Sequence, residues 1–146
     1  MNQWKIEINR DTVDQYNKYY FSQHSRASKL QITKPIHPSI NEWTILPRIQ
    51  MNALKQKWKA FGCWIIKQYG YENLKLDNVD VVICLYFGTK RRHDIDNYTL
   101  KFLNDAFVES GFIVDDDDKH IRSVLVSTDY DKENPRTEII FKERQE

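Results

Sequence analysis

The sequence predicts an α+β fold, a single domain in which helices pack against a mixed β-sheet. Three observations support this prediction. The chain has 146 residues, of which 40% are hydrophobic, enough to fill one core. One long segment repeats its apolar residues with the helical period. Several shorter segments have the composition of strands.

The pattern of residues 1–29 predicts a strand followed by a helix. Residues 4–8 alternate between polar and apolar side chains, as a short strand does. Residues 11–22 place their large side chains at helical spacing, at Val13, Tyr16, Tyr19 and Tyr20.

The next segment predicts a second short strand, residues 30–33, followed by a loop. Pro35 and Pro38 exclude a regular helix and hold the chain extended, so we expect the loop to continue to Asn41.

The longest predicted helix begins at Pro47, which suits the first turn of a helix, and ends near Gly70. One apolar stripe runs along it, formed by Leu54, Trp58, Phe61, Ile65 and Tyr69. Its lysines lie off this stripe and predict an ordinary solvated face: Lys55, Lys57, Lys59 and Lys67.

Residues 79–87 form a nearly continuous apolar run, which predicts a central strand covered on both faces. Residues 99–110 predict a helix that Asp96 or Asn97 caps and that Gly111 ends. Two further strands are predicted at residues 121–128 and 137–141, joined as a hairpin by the loop at 131–135.

The overall charge is balanced, with 22 basic and 21 acidic residues, so any attraction for nucleic acid must come from the distribution of charge. No segment resembles a signal peptide or reaches the length of a membrane span, which predicts a cytoplasmic protein without a membrane partner. Cys63 and Cys84 lie in apolar segments without a paired-cysteine motif, so neither zinc nor a disulfide is indicated.

Two acidic clusters are the most informative feature of the chain: Asp94 with Asp96, and the run of four aspartates at residues 115–118. Crowded carboxylates repel, so such clusters need either bulk water or a bound cation. In an extended chain Asp94 and Asp96 point to the same side, which suits a shared hard cation such as Mg²⁺. Taken singly, the run is typical of a solvated loop holding water or calcium, and the pair is typical of a helix start.

Basic residues directly precede the first cluster, at Lys90, Arg91 and Arg92. They place a phosphate-attracting patch beside a cation-attracting one. This combination is typical of a magnesium-dependent phosphodiesterase, in which a nearby ammonium such as that of Lys101 stabilises charge in the transition state.

The order of these motifs resembles the RusA family of Holliday junction resolvases. The resemblance rests on residues 94–97, Lys101, residues 105–107, Gly111 and the step from Val114 to two aspartates, with a similar proline-serine-asparagine element at residues 38–41. It covers residues 30–141, so residues 30–146 are identified as a RusA-like endonuclease domain. Residues 1–29 match nothing in the family pattern, and we set them apart as an N-terminal extension.

The resemblance implies a homodimeric, magnesium-dependent endonuclease that nicks two opposed strands of branched DNA. Mg²⁺ is the implied cofactor, with Mn²⁺ as a substitute and no organic cofactor, and the implied setting is a bacterial or phage-infected cell. The implied metal ligands are Asp94, Asp96 and Asp116, with Asp117 next in order. Lys101 corresponds to the catalytic lysine, and Lys90, Arg91 and Arg92 are the expected DNA-binding residues.

One departure from the family pattern leaves a rival hypothesis open. The family lysine follows the second aspartate by four residues, where this chain has Leu100, and Lys101 lies one residue later. A displaced lysine is also compatible with a non-catalytic protein that binds junctions or other DNA and has a degenerate metal site.

Overall fold

Strand β1 (Gln3–Asn9) and helix α1 (Arg10–Gln23) begin the chain in the computed structural model, which describes residues 2–145. Asn9 joins the two through a capping box: its Oδ1 accepts from the N–H of Thr12 at 2.9 Å, and Thr12 Oγ1 accepts from the N–H of Asn9 at 3.2 Å. The predicted N-terminal strand and helix are confirmed.

The predicted strand at residues 30–33 is wrong, because a side chain supplies the hydrogen bonds that a neighbouring strand would supply. The buried Asn17 accepts from the N–H groups of Gln31 at 2.9 Å and Ile32 at 3.2 Å. It also donates to the carbonyl of Ile32 at 2.7 Å. The segment is therefore fixed to α1 without joining the sheet.

The predicted loop ends at Ser39 instead of Asn41, because Ser39 and Glu42 form a capping box that starts helix α2 (Ile40–Thr44). Helix α3 (Arg48–Tyr69) then runs from Pro47 to Gly70, which takes the left-handed conformation at φ 73°, so the long predicted helix is confirmed. Tyr69 departs from the predicted apolar stripe, since it is 41% exposed.

The sheet contains three more strands: β2 (Val79–Phe87), β3 (Ile121–Tyr130) and β4 (Arg136–Glu143). The strand order is β1-β4-β2-β3, with β4 antiparallel to both neighbours and β3 parallel to β2. The sheet is mixed, and the predicted α+β class is confirmed.

The predicted hairpin between β3 and β4 is wrong, because β2 lies between these strands. Their connecting loop passes over the end of β2, where the N–H of Asp131 donates to the carbonyl of Phe87 at 2.8 Å. A loop of this length can cover the roughly 10 Å between strands that are next-but-one neighbours.

Strand β2 is central, as predicted, but it is not covered equally on both faces. Its residues alternate between buried and half-buried, from Val79 to Phe87. Helices α3 and α4 (Lys101–Glu109) contribute core side chains against the buried face, including Phe61, Ile65, Phe102 and Phe107. These two helices approach closely at Gly62, where an added Cβ would lie 2.6 Å from Cβ of Ala106.

The predicted cap of the helix after β2 is also wrong. A 3₁₀ turn (Ile95–Asn97) precedes α4, and Leu100 occupies the cap position without a side-chain hydrogen bond. The side chain of Asn97 bonds elsewhere, to the backbone of α2. Among residues 2–145, no helix combines the length and apolar content needed to cross a membrane.

Candidate active site

A cleft of about 1320 Å³ brings the two acidic clusters together. One wall is the inward face of β3, where Val124 and Val126 lie beside Val81 and Ile83 of β2. Helices α3 and α4 and the 3₁₀ turn form the rest. The charged residues that line the cleft are Lys55, Asp94, Asp96, Lys101, Asp105, Asp116, Asp117 and Asp118.

The 3₁₀ turn holds the first cluster in the cleft. Before the turn, the ring of His93 stacks on Phe87 at the end of β2, with 3.6 Å between ring centroids. After it, Oδ1 of Asn97 accepts a hydrogen bond from the N–H of Asn41 at 3.0 Å. The segment between these two contacts carries Asp94 and Asp96.

Both carboxylates of this segment line the cleft, although the chain is a 3₁₀ turn there and not the extended segment we expected. Asp94 Oδ1 lies 3.3 Å from Nε of the exposed Arg92. Asp96 is exposed and makes no hydrogen bond or ion pair with another residue in the range 2–145. Neither carboxylate is therefore held by a buried partner.

The second cluster reaches the cleft through a turn at Gly111. Gly111 has φ 75°, and an added Cβ would lie 2.6 Å from Oδ1 of Asn73, so this position requires glycine. The chain then pairs with Leu76, whose carbonyl accepts from the N–H of Val114 at 2.9 Å. The four aspartates follow directly.

Within this run, Asp117 has a structural role. Its Oδ1 accepts from the N–H groups of Lys119 at 3.0 Å and His120 at 3.2 Å, and it also contacts the His120 ring. The hydrogen bond from His120 holds the pKa of Asp117 below its usual value. Asp77 contacts the other ring nitrogen of His120 at 3.3 Å. These contacts engage Asp117 in the fold of the loop.

Asp116 is in a different environment. Partial burial raises the pKa of its carboxyl group, and the neighbouring Asp115 and the more distant Asp105 raise it further. A bound cation would relieve this repulsion. Asp118 also lines the cleft and has no hydrogen-bond or ion-pair partner among the residues described.

Lys101 lines the cleft from the first position of α4, and its Nζ lies 5.2 Å above the ring of Trp43. Leu100, at the position of the family lysine, is 5% exposed and belongs to the core.

Two further charged residues of the cleft were not predicted as site residues. Lys55 of α3 lies 3.6 Å from Oδ2 of Asp105 of α4, and both line the cleft. The sequence places Lys55 and Lys59 on the same solvated helix face, and its pattern contains no signal that separates them.

The predicted basic run is exposed at the edge of the cleft. Lys90 Nζ lies 5.2 Å from the ring centre of Tyr130. Arg91 and Arg92 line a neighbouring groove with Lys34, and this groove shares His93, Asp94 and Tyr98 with the cleft. Cations at these positions can contact a phosphate backbone that enters the cleft.

The donors in the cleft suit a hard cation, because they are carboxylate oxygens without thiolates. However, no three His, Cys, Asp or Glu side chains in residues 2–145 lie close enough together to form a ready metal site. The carboxylates share one cleft without forming a closed ligand set. Magnesium fits this arrangement, since it keeps several waters and takes few protein carboxylates.

Comparison with known proteins agrees with this architecture. Residues 8–142 match the family model described as endodeoxyribonuclease RusA. A search of curated proteins found no match. The family match covers nearly the whole chain, including both acidic clusters, all of β2 and β3, and β4 up to Lys142, whereas of β1 it includes the last two residues, Ile8 and Asn9. The chain therefore belongs to the RusA family of endodeoxyribonucleases, which implies a junction-resolving endonuclease.

Proposed function

We propose that this protein is a magnesium-dependent endonuclease that resolves four-way DNA junctions by paired symmetric nicks, acting as a homodimer. The observation that carries the proposal is the convergence of Asp94, Asp96 and Asp116 from two chain segments on one cleft. The family match supports the class of reaction.

Asp94, Asp96 and Asp116 are the proposed metal ligands. Asp96 has no partner to displace among residues 2–145, Asp94 has an exposed one, and the raised pKa of Asp116 favours a nearby cation. Within the acidic run we now place Asp118 ahead of Asp117 as the next candidate, because Asp117 is engaged with His120. These carboxylates would hold Mg²⁺, or Mn²⁺ as a substitute, and the metal would supply charge neutralisation of the phosphate and a lowered pKa of an attacking water.

The remaining charged residues act on the DNA. Lys90, Arg91 and Arg92 position the phosphate backbone at the mouth of the cleft. Lys101 places an ammonium beside the carboxylates, where it stabilises the additional negative charge on the phosphate as the P–O bond of the DNA backbone breaks.

Homodimer formation follows from the symmetry of the substrate. A four-way junction with approximate two-fold symmetry requires two cuts related by that symmetry, and a C2 dimer with one site per chain supplies them. Since the substrate is DNA, we expect the enzyme to work in the cytoplasm of a bacterial or phage-infected cell.

The division of the chain at residue 29 stays a prediction. Strand β1 pairs with β4, and Val13 and Tyr16 of α1 belong to the core, so these residues support the sheet that carries the site. We propose that the exposed surface of residues 1–29 adds to the DNA-binding or dimer surface.

The test is cleavage of a synthetic four-way junction and of a matched linear duplex, with Mg²⁺, with Mn²⁺ and with a chelator. We expect paired symmetric nicks in the junction that require the metal and that Asp96→Asn abolishes. Sedimentation of the protein with and without the junction measures the number of chains in the complex.

Two results would contradict the proposal. Tight junction binding with no cleavage in any divalent metal would identify a non-catalytic binding protein. Equal treatment of junction and duplex, in both binding and cleavage, would exclude a structure-selective enzyme. Asp14→Asn, at an exposed position on α1 outside the cleft, is the control for loss of an acidic residue.

A further inference from the structure

We infer that Lys55 of α3 binds a phosphate of the DNA strand in the cleft, as a second ammonium beside Lys101. This inference rests on the proposed nuclease function and adds a substrate-binding residue to it.

The cleft carries an excess of negative charge, which opposes the binding of a DNA phosphate. Six aspartates line it, and the lysines that line it are Lys55 and Lys101. A phosphate that enters this cleft is repelled by every carboxylate that a metal does not neutralise. Lys101 lies against Trp43 at the start of α4, whereas Lys55 reaches the cleft from α3. The two ammonium groups therefore approach from different elements.

The contact between Lys55 and Asp105 leaves the ammonium available. The distance from Nζ to Oδ2 is 3.6 Å, too long for a hydrogen bond. No other hydrogen-bond acceptor for this ammonium is found among residues 2–145. Lys55 also balances the charge of Asp105, one of the groups that raise the pKa of Asp116. Asp105 thus holds Lys55 near the cleft without saturating its donors.

One helical turn further along α3, Lys59 provides a matched comparison. Its Nζ lies 2.9 Å from Oε1 of Glu109 on α4, a distance typical of a hydrogen-bonded ion pair. Lys59 does not line the cleft. Both lysines lie on α3, form an ion pair with a residue of α4 and carry the same charge. They differ in that Lys55 lines the cleft and Lys59 does not.

The experiment measures junction binding as a function of salt, with the Asp96→Asn background and a chelator present to prevent cleavage. The slope of log K against log salt concentration is negative, and each lost phosphate contact reduces its magnitude by about 0.9. We expect Lys55→Ala to reduce the magnitude of the slope by about 0.9 per protomer and Lys59→Ala to leave it unchanged. Lys55→Arg should retain the slope of the parent protein.

A parallel measurement in the cleavage-competent protein compares turnover with KM. We expect Lys55→Ala to raise KM by about tenfold, the effect of losing a contact worth ~1.4 kcal/mol. Equal slopes for Lys55→Ala and Lys59→Ala would overturn the inference while leaving the nuclease proposal intact. Failure of the parent protein to prefer or cut junctions would instead overturn the nuclease proposal, and the inference with it.

Discussion

The backbone N–H of Asn41 donates a hydrogen bond to Oδ1 of Asn97, 3.0 Å away. This contact joins residues 56 positions apart in the chain and connects the start of α2 to the turn that carries Asp94 and Asp96. It links the proline-serine-asparagine element to the first acidic pair, two motifs that the sequence presents separately.

Replacing Asn97 with alanine should therefore weaken the proposed metal site more than the fold. The lost hydrogen bond costs about 1 kcal/mol of stability, because the contact between the turn and the start of α2 is exposed to solvent. Turnover should fall by about 10-fold or more, with a higher Mg²⁺ concentration at half-maximal activity. Asn52→Ala, at an exposed position of α3, is the control. Unchanged metal dependence in Asn97→Ala would show that the turn needs no such support.

Asparagine substitutions within the acidic run should distinguish an aspartate that binds the metal from one that stabilises the loop. Asp116→Asn should reduce cleavage by about 100-fold or more with normal thermal stability. Asp117→Asn should lower the melting temperature, since the amide keeps an accepting oxygen but loses the negative charge that strengthens the contact with the His120 ring, and it should retain most of the cleavage activity. The measurements are melting curves and initial rates on the same junction. Full activity of Asp116→Asn would move the third ligand to another aspartate.

Lys101→Ala should affect turnover and not binding. An ammonium that stabilises charge in the transition state contributes about 100-fold to kcat, whereas most of the contact with DNA is proposed to come from the basic run, residues 90–92. We expect a Kd for the junction within about twofold of the parent value. Lys67→Ala, at an exposed position on α3, controls for loss of a positive charge. Equal losses in binding and turnover would make Lys101 a phosphate-positioning residue.

The buried His37 should make the fold sensitive to acid. Its ring packs against Trp58 and Tyr98, and burial lowers its pKa from 6.5 to about 4. The unfolded chain binds a proton here below its own pKa of about 6.5, and the folded chain does so near 4, so stability falls as the pH drops through this interval. Above about pH 6.5 the contribution is constant.

The test of this linkage is the free energy of unfolding in urea at about pH 7 and about pH 5. Wild type should lose about 2 kcal/mol more than His37→Phe over this range, because phenylalanine keeps the ring contacts without a titrating nitrogen. His24→Gln, at an exposed position, is the control for removing a histidine. The same acid loss in wild type and His37→Phe would assign the effect to carboxylates.

The contact between α3 and α4 at Gly62 predicts a rescue. Gly62→Ala should destabilise the protein by about 2 kcal/mol, because the new Cβ would lie 2.6 Å from Cβ of Ala106. Adding Ala106→Gly removes that clash and exchanges the helix propensities, so the double variant should be within about 1 kcal/mol of wild type. Urea denaturation measures all three variants. Additive losses in the double variant would place the strain elsewhere.

The sequence predicted aspartates that the structure brings together in one cleft, because the order of the motifs resembles a known family. Asp94 and Asp96 precede Gly111 and Asp116 follows it, and the turn at Gly111 returns the chain to the sheet. Lys55 could not be predicted in this way. Helical periodicity places Lys55 and Lys59 on the same face of α3. The packing of α3 against α4 determines which of the two lysines reaches the cleft.

The incorrect fold predictions share a physical cause. The local sequence pattern indicates a strand but does not specify which segment or side chain will pair with its backbone. Residues 30–33 have strand composition, but Asn17 satisfies their backbone groups from a helix. Strands β3 and β4 are adjacent in sequence and suggest a hairpin, but the more apolar β2 takes the position between them. The strand segments were identifiable from composition, and their order in the sheet was not.

The strand order also determines at which stage of protein synthesis the sheet can be completed. Strand β4 is the last in the described sequence, yet it lies in the interior of the sheet and provides the backbone partner of β1. While the ribosome is still adding residues 136–143, the first strand has no position in a sheet. The cleft residues are synthesised earlier, but the four-stranded sheet that supports them is complete only after β4 has paired with β1 and β2. A nascent or truncated chain that ends before β4 therefore carries all the acidic residues on an incomplete scaffold, so nuclease activity is expected only after synthesis passes this strand.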